Sequence, residues 1–289
     1  MIPPAFEYLR PNTVPEAIAF LQQYGDDAKI LSGGQSLIPM MKFRLARPSH
    51  LIDINRISGL SYIKEEGGYL KIGGLVREAE LEDSPLIRQK YPILFDTSRV
   101  IADPQIRNRA TLAGNLAHGD PANDHPATMM ALGAKIVAIG PQGERVIDVE
   151  SFFLTLFTTD LQHDEIVTEI RIPTPPARSG GAYLKLERKV GDFATAAVAA
   201  QLTVNQEGTC QKAGIALTNV GAIPIKVAKG EEFLQGKKLD ETNITQAAQL
   251  AAEAAQPSSD LRGPEEYKRA LVKELTRRAL VRAYERASQ

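Results

Sequence analysis

Hydrophobic and polar positions near the start of the chain alternate between helical and strand spacing. Residues 13–16 have the pattern of a capped helix start, and the apolar spacing after them predicts a helix that ends at Gly25. Short apolar runs predict strands at 28–31 and 50–54, with a short helix at 37–43 between them. The first fifth of the chain is therefore expected to alternate strands and helices.

The next block changes character. Two alternating runs, 61–64 and 69–72, flank a glycine-containing turn and predict a β-hairpin. Residues 77–101 predict helices with two breaks at prolines. Residues 102–126 are rich in Asp, Asn, Gly and Pro and predict a long loop, and loops of that length inside a compact domain tend to be functional.

Strand patterns dominate the rest of the chain until its last helices. The predicted strands are 135–139, 145–149, 165–172, 182–188, 195–204 and 210–219. Three prolines in residues 173–176 favour an extended crossing, so we expect a domain boundary near residue 176. The last helix begins at about Gly263, and it is predicted to carry an apolar stripe opposite its Arg and Lys residues. The stripe consists of Tyr267, Ala270, Leu271, Leu275 and Ala279.

Composition narrows the class of protein. The chain has 289 residues, and its 34 Lys+Arg nearly balance 35 Asp+Glu, so no excess of positive charge favours nucleic acid. The length suggests two or three domains. No apolar run reaches membrane-helix length, and the N-terminus lacks the features of a signal peptide. Cys210 is the one cysteine, which excludes an intramolecular disulfide and a cysteine-ligated metal cluster supplied by this chain alone.

Residues 32–37 are the strongest candidate site. The segment Ser32-Gly33-Gly34-Gln35-Ser36-Leu37 lies between a predicted strand and a predicted helix. Glycines allow a backbone to approach a ligand, and successive N–H groups at such a turn can bind an anion such as phosphate. The segment matches neither the G-x-G-x-x-G nor the P-loop pattern. A plain strand-to-helix turn remains the alternative.

Residues 102–126 carry the next candidates. Small residues around Thr111 and Asn115 would let a bulky ligand lie against the backbone, or the loop is structural and pinned by Arg107 and Arg109. The stretch 118–125 holds two histidines and two aspartates. It could bind a metal, but its spacing favours Asp124 as the cap of a helix over 127–132, or as an acceptor for ribose hydroxyls.

Residues 185–195 form the last candidate. Three basic residues precede a turn and Phe193, whose ring could cover a flat ligand; a solvated strand end is the alternative. No nucleophile motif is present, and Cys210 has no local partner. The residues themselves predict a binder of a phosphate-containing molecule rather than an acid–base catalyst.

Taken together, these segments resemble a known family. The chain resembles the FAD-binding medium subunits of molybdenum hydroxylases, with its closest likeness to the carbon monoxide dehydrogenase type. The resemblance covers nearly the whole chain and rests on the opening residues 1–4 and on residues 33–42, 101–107, 111–115, 118–124, 189–196 and 216–220.

The resemblance implies an α+β fold. A two-part FAD-binding domain of the PCMH type, residues 1–176 with sub-parts of about 1–56 and 57–176, would be followed by a smaller C-terminal domain of antiparallel strands and helices, residues 177–289, that covers the flavin. It implies that the pyrophosphate and adjoining FAD groups are held by Ser32, Gly33, Gly34, Gln35, Ser36, Leu37, Thr111, Ala113, Gly114 and Asn115. Asp124 would bind toward the ribose or ribityl region, and Ile101, Ala102, Lys185 and Phe193 would lie near the isoalloxazine. It assigns no catalytic residue and no metal to this chain.

The resemblance also implies partners. A large subunit would hold the molybdenum cofactor and oxidise the substrate, and a small subunit with two [2Fe–2S] clusters would pass electrons to FAD, which reduces an external acceptor. A dimer of heterotrimers in the cytoplasm is expected, with association at the inner face of the cytoplasmic membrane left open. The alternatives are a related xanthine, aldehyde or N-heterocycle dehydrogenase, a self-sufficient flavoprotein, and a non-catalytic nucleotide-binding subunit.

Three positions depart from the family pattern. Gln35 stands where the carbon monoxide dehydrogenase type often has histidine, Ala113 stands at a usual glycine, and Phe193 replaces a tyrosine. Alanine fits at position 113 if φ there is negative. Phenylalanine keeps the packing surface but lacks a hydroxyl donor. These departures bear on the carbon monoxide assignment more than on the FAD assignment.

Overall fold

A three-stranded parallel sheet forms the N-terminal part of the structure, a computed structural model that describes residues 2–289. Its strand order is β1-β3-β2. The elements are β1 (Glu7–Leu9), α1 (Val14–Tyr24), β2 (Ala28–Leu31), α2 (Leu37–Lys42) and β3 (His50–Asp53). The expected cap of α1 is confirmed, because the Thr13 side chain accepts a hydrogen bond from the Glu16 N–H and Gly25 follows the helix with φ +54°.

A five-stranded antiparallel sheet with helices packed against it forms the middle of the chain. Its strand order is β4-β5-β10-β6-β7, and a separate two-stranded ribbon is made by β8 and β9. The elements are β4 (Ile63–Glu66), β5 (Tyr69–Gly73), α3 (Glu78–Asp83), α4 (Pro85–Lys90), α5 (Pro92–Ser98), α6 (Pro104–Arg107), α7 (Leu112–His118), α8 (His125–Leu132), β6 (Lys135–Gly140), β7 (Gly143–Asp148), α9 (Val149–Phe152), β8 (Phe153–Thr155), β9 (Thr158–Thr159) and β10 (Ile166–Pro173).

A four-stranded antiparallel sheet and three helices complete the chain. The strands follow one another in sequence order, and α12 packs on β11 and β12. The elements are β11 (Ser179–Glu187), β12 (Ala194–Val204), β13 (Cys210–Thr218), β14 (Ile225–Lys226), α10 (Ala228–Leu234), α11 (Glu241–Ala254) and α12 (Glu265–Ala287). These elements confirm the expected α+β class. None of the helices within residues 2–289 is both long and apolar enough to cross a membrane.

The expected long loop over residues 102–126 is wrong. Two short helices, α6 and α7, lie inside it, and α8 begins at its end. The cause is capping by polar side chains: the Asp103 carboxylate accepts the Ile106 N–H at 2.9 Å, and the Thr111 hydroxyl accepts the Gly114 N–H at 3.1 Å. Composition alone concealed these helices, because Asp, Asn and Pro favour both loops and helix starts.

The expected apolar stripe on the last helix is also wrong in part. Tyr267 and Ala270 are exposed, and Leu271 and Leu275 are half-buried. The buried positions are Lys268, Val272, Thr276, Ala279, Leu280, Ala283 and Ala287. Helix α12 contacts both α11 and the sheet, so its buried surface is wider than one stripe. Lys268 is buried because its ammonium group donates to the Ser258 carbonyl and pairs with Asp260.

Candidate cofactor site

The glycine segment between β2 and α2 presents unpaired backbone donors. Gly34 has φ +74°, a conformation that glycine adopts without strain. Within residues 2–289, the N–H groups of residues 33–37 donate to no backbone or side-chain acceptor. These residues are half-buried, so their five successive N–H groups are open to water or to a ligand. An anionic group such as a phosphate matches them.

The segment 109–115 packs directly against the glycine segment. A Cβ added at Gly33 would lie 2.4 Å from the Arg109 carbonyl oxygen and 2.8 Å from the Ala110 Cα. The hydroxyl groups of Ser32 and Thr111 are 3.2 Å apart. Gly33 is therefore required by backbone packing between two segments, which is a different reason from the ligand approach that the sequence suggested.

Two polar residues that the sequence did not reveal hold these segments in place. The Asn55 amide donates to the Ser32 carbonyl at 2.9 Å, and Arg77 donates both to the Asn55 side chain and to the Arg109 carbonyl. Burial, followed by the charge of Arg109, lowers the pKa of the half-buried Arg77. Neither Asn55 nor Arg77 belongs to a motif, so no sequence signal pointed to them.

Helix α7 places the remaining members of the second segment. Ala113 is buried in the first turn of the helix and has no positive φ, so alanine fits where the family usually has glycine. Asn115 follows two residues later, and its carbonyl accepts the Asn123 side-chain amide at 2.8 Å. This bond links the paired segments to Asp124.

Asp124 is a buried carboxylate held by two side chains from β11. The Tyr183 hydroxyl donates to its Oδ1 at 2.5 Å, and the Lys185 ammonium group lies 3.0 Å from its Oδ2. Burial raises the pKa of the Asp124 carboxyl, while the Lys185 charge opposes that shift. Burial and then the Asp124 charge raise the pKa of Tyr183.

Asp124 occupies the N-cap position of α8, but its side chain makes no capping hydrogen bond. The expected cap is therefore wrong: the two carboxylate oxygens accept from Tyr183 and Lys185 instead, and each keeps a second lone pair that can accept another hydrogen bond. The sequence reasoning included Lys185 but missed Tyr183. The period of two along β11, which puts residues 183 and 185 on one face, was the available signal.

Residues 100–102 link Lys185 to the turn that precedes Phe193. Lys185 also donates to the Val100 carbonyl at 3.2 Å, directly before Ile101. Ala102 has φ +45°, and a Cβ at Gly191 would lie 2.8 Å from the Ala102 carbonyl oxygen. Phe193 follows Gly191 by two residues and is 47% exposed. Three chain segments thus meet here, with an aromatic ring at the surface.

The two histidines of the stretch 118–125 have separate partners. The His125 Nε2 lies 2.7 Å from a Glu78 carboxylate oxygen, and both side chains are fully buried. The His118 ring packs 5.2 Å from the ring of Phe157. Burial lowers the pKa of His118.

Eight buried polar side-chain atoms in the described part of the chain have no hydrogen-bond partner. Within residues 2–289 they are Glu78 Oε1, Ser98 Oγ, Asn115 Oδ1, His125 Nδ1, Glu187 Oε2, Thr218 Oγ1, Arg262 Nε and Thr276 Oγ1. Asn115 belongs to the second segment, whereas Glu187 Oε2 lies 3.3 Å from the Lys185 ammonium group and is paired with it by charge. Unpaired buried polar atoms call for water or a polar ligand. The unpaired Asn115 Oδ1 and the free N–H groups of residues 33–37 together fit a polar, phosphate-containing ligand such as FAD.

Comparison with known proteins decides the family. Residues 4–175 match the FAD binding domain in molybdopterin dehydrogenase, and residues 181–283 match the CO dehydrogenase flavoprotein C-terminal domain. The chain belongs to the FAD-binding medium-chain family of the molybdenum hydroxylases. The predicted resemblance is thereby confirmed, and this medium chain is a flavoprotein subunit of an oxidoreductase.

The matched proteins cover the whole length. The carbon monoxide dehydrogenase medium chain of Hydrogenophaga pseudoflava is 44% identical over 289 residues, which is 100% of both chains. A solved structure of carbon monoxide dehydrogenase from the same organism, lacking the Mo-pyranopterin moiety of its cofactor, superposes with a TM-score of 0.96 at 45% identity and covers 99% of each chain. Quinoline 2-oxidoreductase from Pseudomonas putida 86 superposes with a TM-score of 0.93 at 34% identity over 100% of both chains.

Proposed function

We propose that this medium chain holds FAD across the site and carries electrons through it between partner subunits and an external acceptor. The observation that carries the proposal is the row of five free N–H groups at residues 33–37, packed against the capped start of α7. The ten residues in 32–37 and 111–115 named above would bind the pyrophosphate region. Asp124 would accept hydrogen bonds from the ribose or ribityl hydroxyls, which are donors.

The isoalloxazine would lie at the meeting point of Ile101, Ala102, Lys185 and Phe193. The Phe193 ring supplies a flat apolar surface, and the Lys185 ammonium group places a fixed positive charge nearby. The chain would divide near residue 176, with residues 1–176 binding FAD and 177–289 covering it. FAD, when bound, supplies the redox chemistry; the residues of this chain bind it, orient it and limit its contact with water.

Partner subunits would complete the electron path. The buried Cys210 is the chain's one cysteine, so this chain cannot supply the ligands of an iron–sulfur cluster. On the basis of the family resemblance, we assign two [2Fe–2S] clusters to a small subunit and the molybdenum cofactor to a large subunit. The assembly would be a dimer of heterotrimers in the cytoplasm, with association at the inner face of the cytoplasmic membrane left open.

The substrate would be oxidised in the large subunit. The full-length identity of 44% to a carbon monoxide dehydrogenase medium chain favours carbon monoxide. The quinoline enzyme shares the fold at 34% identity, so medium chains of one shape serve complexes with different substrates. A xanthine, aldehyde or N-heterocycle dehydrogenase is therefore the alternative outcome of the test.

Anaerobic mixing of the purified complex with carbon monoxide tests this function. We expect the visible flavin band to bleach in the complex and to stay unchanged in the isolated medium chain loaded with FAD. Bleaching only with an aldehyde or a nitrogen heterocycle would show that the complex oxidises a substrate other than carbon monoxide, while the medium chain keeps its role in electron transfer. Bleaching of the isolated chain by an organic donor would contradict that role and indicate a self-sufficient flavoprotein.

A further inference from the structure

Strand β11 has two faces that meet different parts of the molecule. Because successive side chains of a strand point to opposite faces, Gly181, Tyr183 and Lys185 share one face. Tyr183 is buried in the core of the five-stranded sheet and its helices, whereas Ala182 is buried in the core of the C-terminal sheet. Strand β11 is thus the part of the C-terminal sheet that contacts Asp124, through Tyr183 and Lys185.

Two glycines allow helices to approach β11 from both sides. A Cβ at Gly180 would lie 2.3 Å from the Ala283 carbonyl oxygen in α12. A Cβ at Gly181 would lie 3.0 Å from the Ile93 Cβ in α5. The strand is therefore held between α12 and α5 at close range.

A charged pair joins those two helices around the strand. Arg286 of α12 donates from Nη1 and Nη2 to the two carboxylate oxygens of Asp96 in α5, at 2.6 and 3.1 Å. The Asp96 side chain is 5% exposed, and its Oδ2 also accepts the Tyr183 N–H at 3.4 Å. Arg286 donates in addition to the Gly181 carbonyl. A two-pronged Arg–carboxylate pair fixes orientation as well as distance.

We propose that Arg286 is a positioning residue for the cofactor site. The clamp, defined as Arg286 and Asp96, fixes the backbone of β11 at residues 181 and 183. This fixed backbone lets the Tyr183 hydroxyl and the Lys185 ammonium group reach Asp124 from the same face. The inference deepens the proposed function and rests on it, since it takes Asp124 and Lys185 as contacts of FAD.

Loss of the clamp has a defined consequence for FAD. Without the Arg286 fork, Asp96 keeps only Arg282 at 3.6 Å among the basic side chains that reach it within residues 2–289. The end of α12 and the start of β11 would then lose their fixed distance from α5. Tyr183 and Lys185 would spend less time on Asp124, so FAD would dissociate faster.

The test is the rate of FAD release from the purified complex, followed by flavin fluorescence after dilution. We expect Arg286→Gln and Asp96→Asn each to speed release about tenfold or more, and the double variant to be no faster than either single one, because both remove one interaction. Arg286→Lys keeps the charge but loses the fork, so its release rate should lie between those of the wild type and Arg286→Gln.

Two variants of α12 separate positioning from general stability. Arg278→Gln removes an exposed pair with Glu274 and should release FAD at the wild-type rate. Val272→Ala removes buried methyl groups from the C-terminal core, so it should lower stability without changing FAD release.

Three outcomes would overturn the clamp. The first is FAD release from Val272→Ala that is as fast as release from Arg286→Gln. The second is a wild-type rate of FAD release in Asp96→Asn. The third is a wild-type rate in Arg286→Lys, and this variant carries the test if Arg286→Gln does not fold. A wild-type complex that holds no FAD would instead contradict the proposed function itself.

Discussion

Gly33 lies where two chain segments touch through their backbones. Any side chain there must displace the Arg109 carbonyl, which is itself held by Arg77. The sequence pointed to Gly33 through ligand approach and did not reveal this packing, because a glycine pair in a turn carries no information about Arg109, which lies 76 positions away in the chain.

We expect Gly33→Val to weaken FAD binding by about tenfold or more, since overpacking at such a contact costs roughly 1–3 kcal/mol and shifts the free N–H groups. Titration of the FAD-free protein with FAD measures the change. Gly230→Ala is the control, because its added methyl group is tight only against a Val227 side-chain carbon at 2.9 Å and makes ordinary contacts with Ala247 and Ile215, in the C-terminal part. Unchanged FAD affinity in Gly33→Val would contradict the placement of the pyrophosphate.

His118 predicts a pH dependence of stability. Burial lowers its pKa below the ordinary value of 6.5, so the unfolded chain takes up a proton at a higher pH than the folded one. The stability contributed by the neutral ring is present above about pH 6.5 and is lost as the pH falls through the lowered folded value.

Urea unfolding between pH 7 and pH 5 measures this effect. The free energy of unfolding should fall with pH in the wild type and fall less steeply in His118→Gln. The exposed His163 is the control, and His163→Gln should keep the wild-type slope. Equal slopes in the wild type and His118→Gln would show that another group titrates.

Among the elements, α1 and α7 begin in the same way but have different neighbours. A threonine hydroxyl caps each, Thr13 for α1 and Thr111 for α7. Only Thr111 also contacts Ser32 of the glycine segment. Substitutions at Thr13 and Thr111 therefore distinguish an effect on helix stability from an effect on the site.

We expect Thr13→Ala and Thr111→Ala each to lower the free energy of unfolding by about 1 kcal/mol through loss of the cap. Only Thr111→Ala should also weaken FAD binding. Denaturant unfolding and FAD titration of both variants provide the comparison. Equal FAD affinity in the two variants would contradict a role for the start of α7 in the site.

Elements with strong local signals could be predicted from the sequence, and the others could not. The helix α1, the hairpin of β4 and β5, and the long strands β10 to β13 were predicted because caps, glycine turns and apolar runs are local. The helices α6 and α7 were missed because their caps lie in a stretch whose composition is typical of loops. The width of the buried face of α12 depends on its contact with α11, which no pattern within α12 contains.

The site shows the same division between local and distant information. The glycine segment and Lys185 carried local signals, whereas Asn55, Arg77, Asp96 and Arg286 act through partners far away in sequence. Arg286 and Asp96 are 190 positions apart. Supporting contacts of this kind become visible only when the fold brings them together.

At the scale of the whole molecule, the two halves of the proposed site come from different sheets. The free N–H groups follow a strand of the N-terminal parallel sheet, and Lys185 lies on the C-terminal sheet. Asn115, Asn123 and Asp124 connect them through the middle of the chain. The net charge of −1 is close to zero, so the phosphates of a ligand at this site would be bound by local donors rather than by the overall charge of the chain.

Identification of the flavin released from the purified complex on denaturation tests the central claim most directly. We expect a visible flavin absorption band before denaturation, and FAD, rather than FMN, in the supernatant afterwards at about one molecule per medium chain. A complex that is colourless as purified and takes up no added FAD would contradict the assignment of this chain as the FAD-binding subunit.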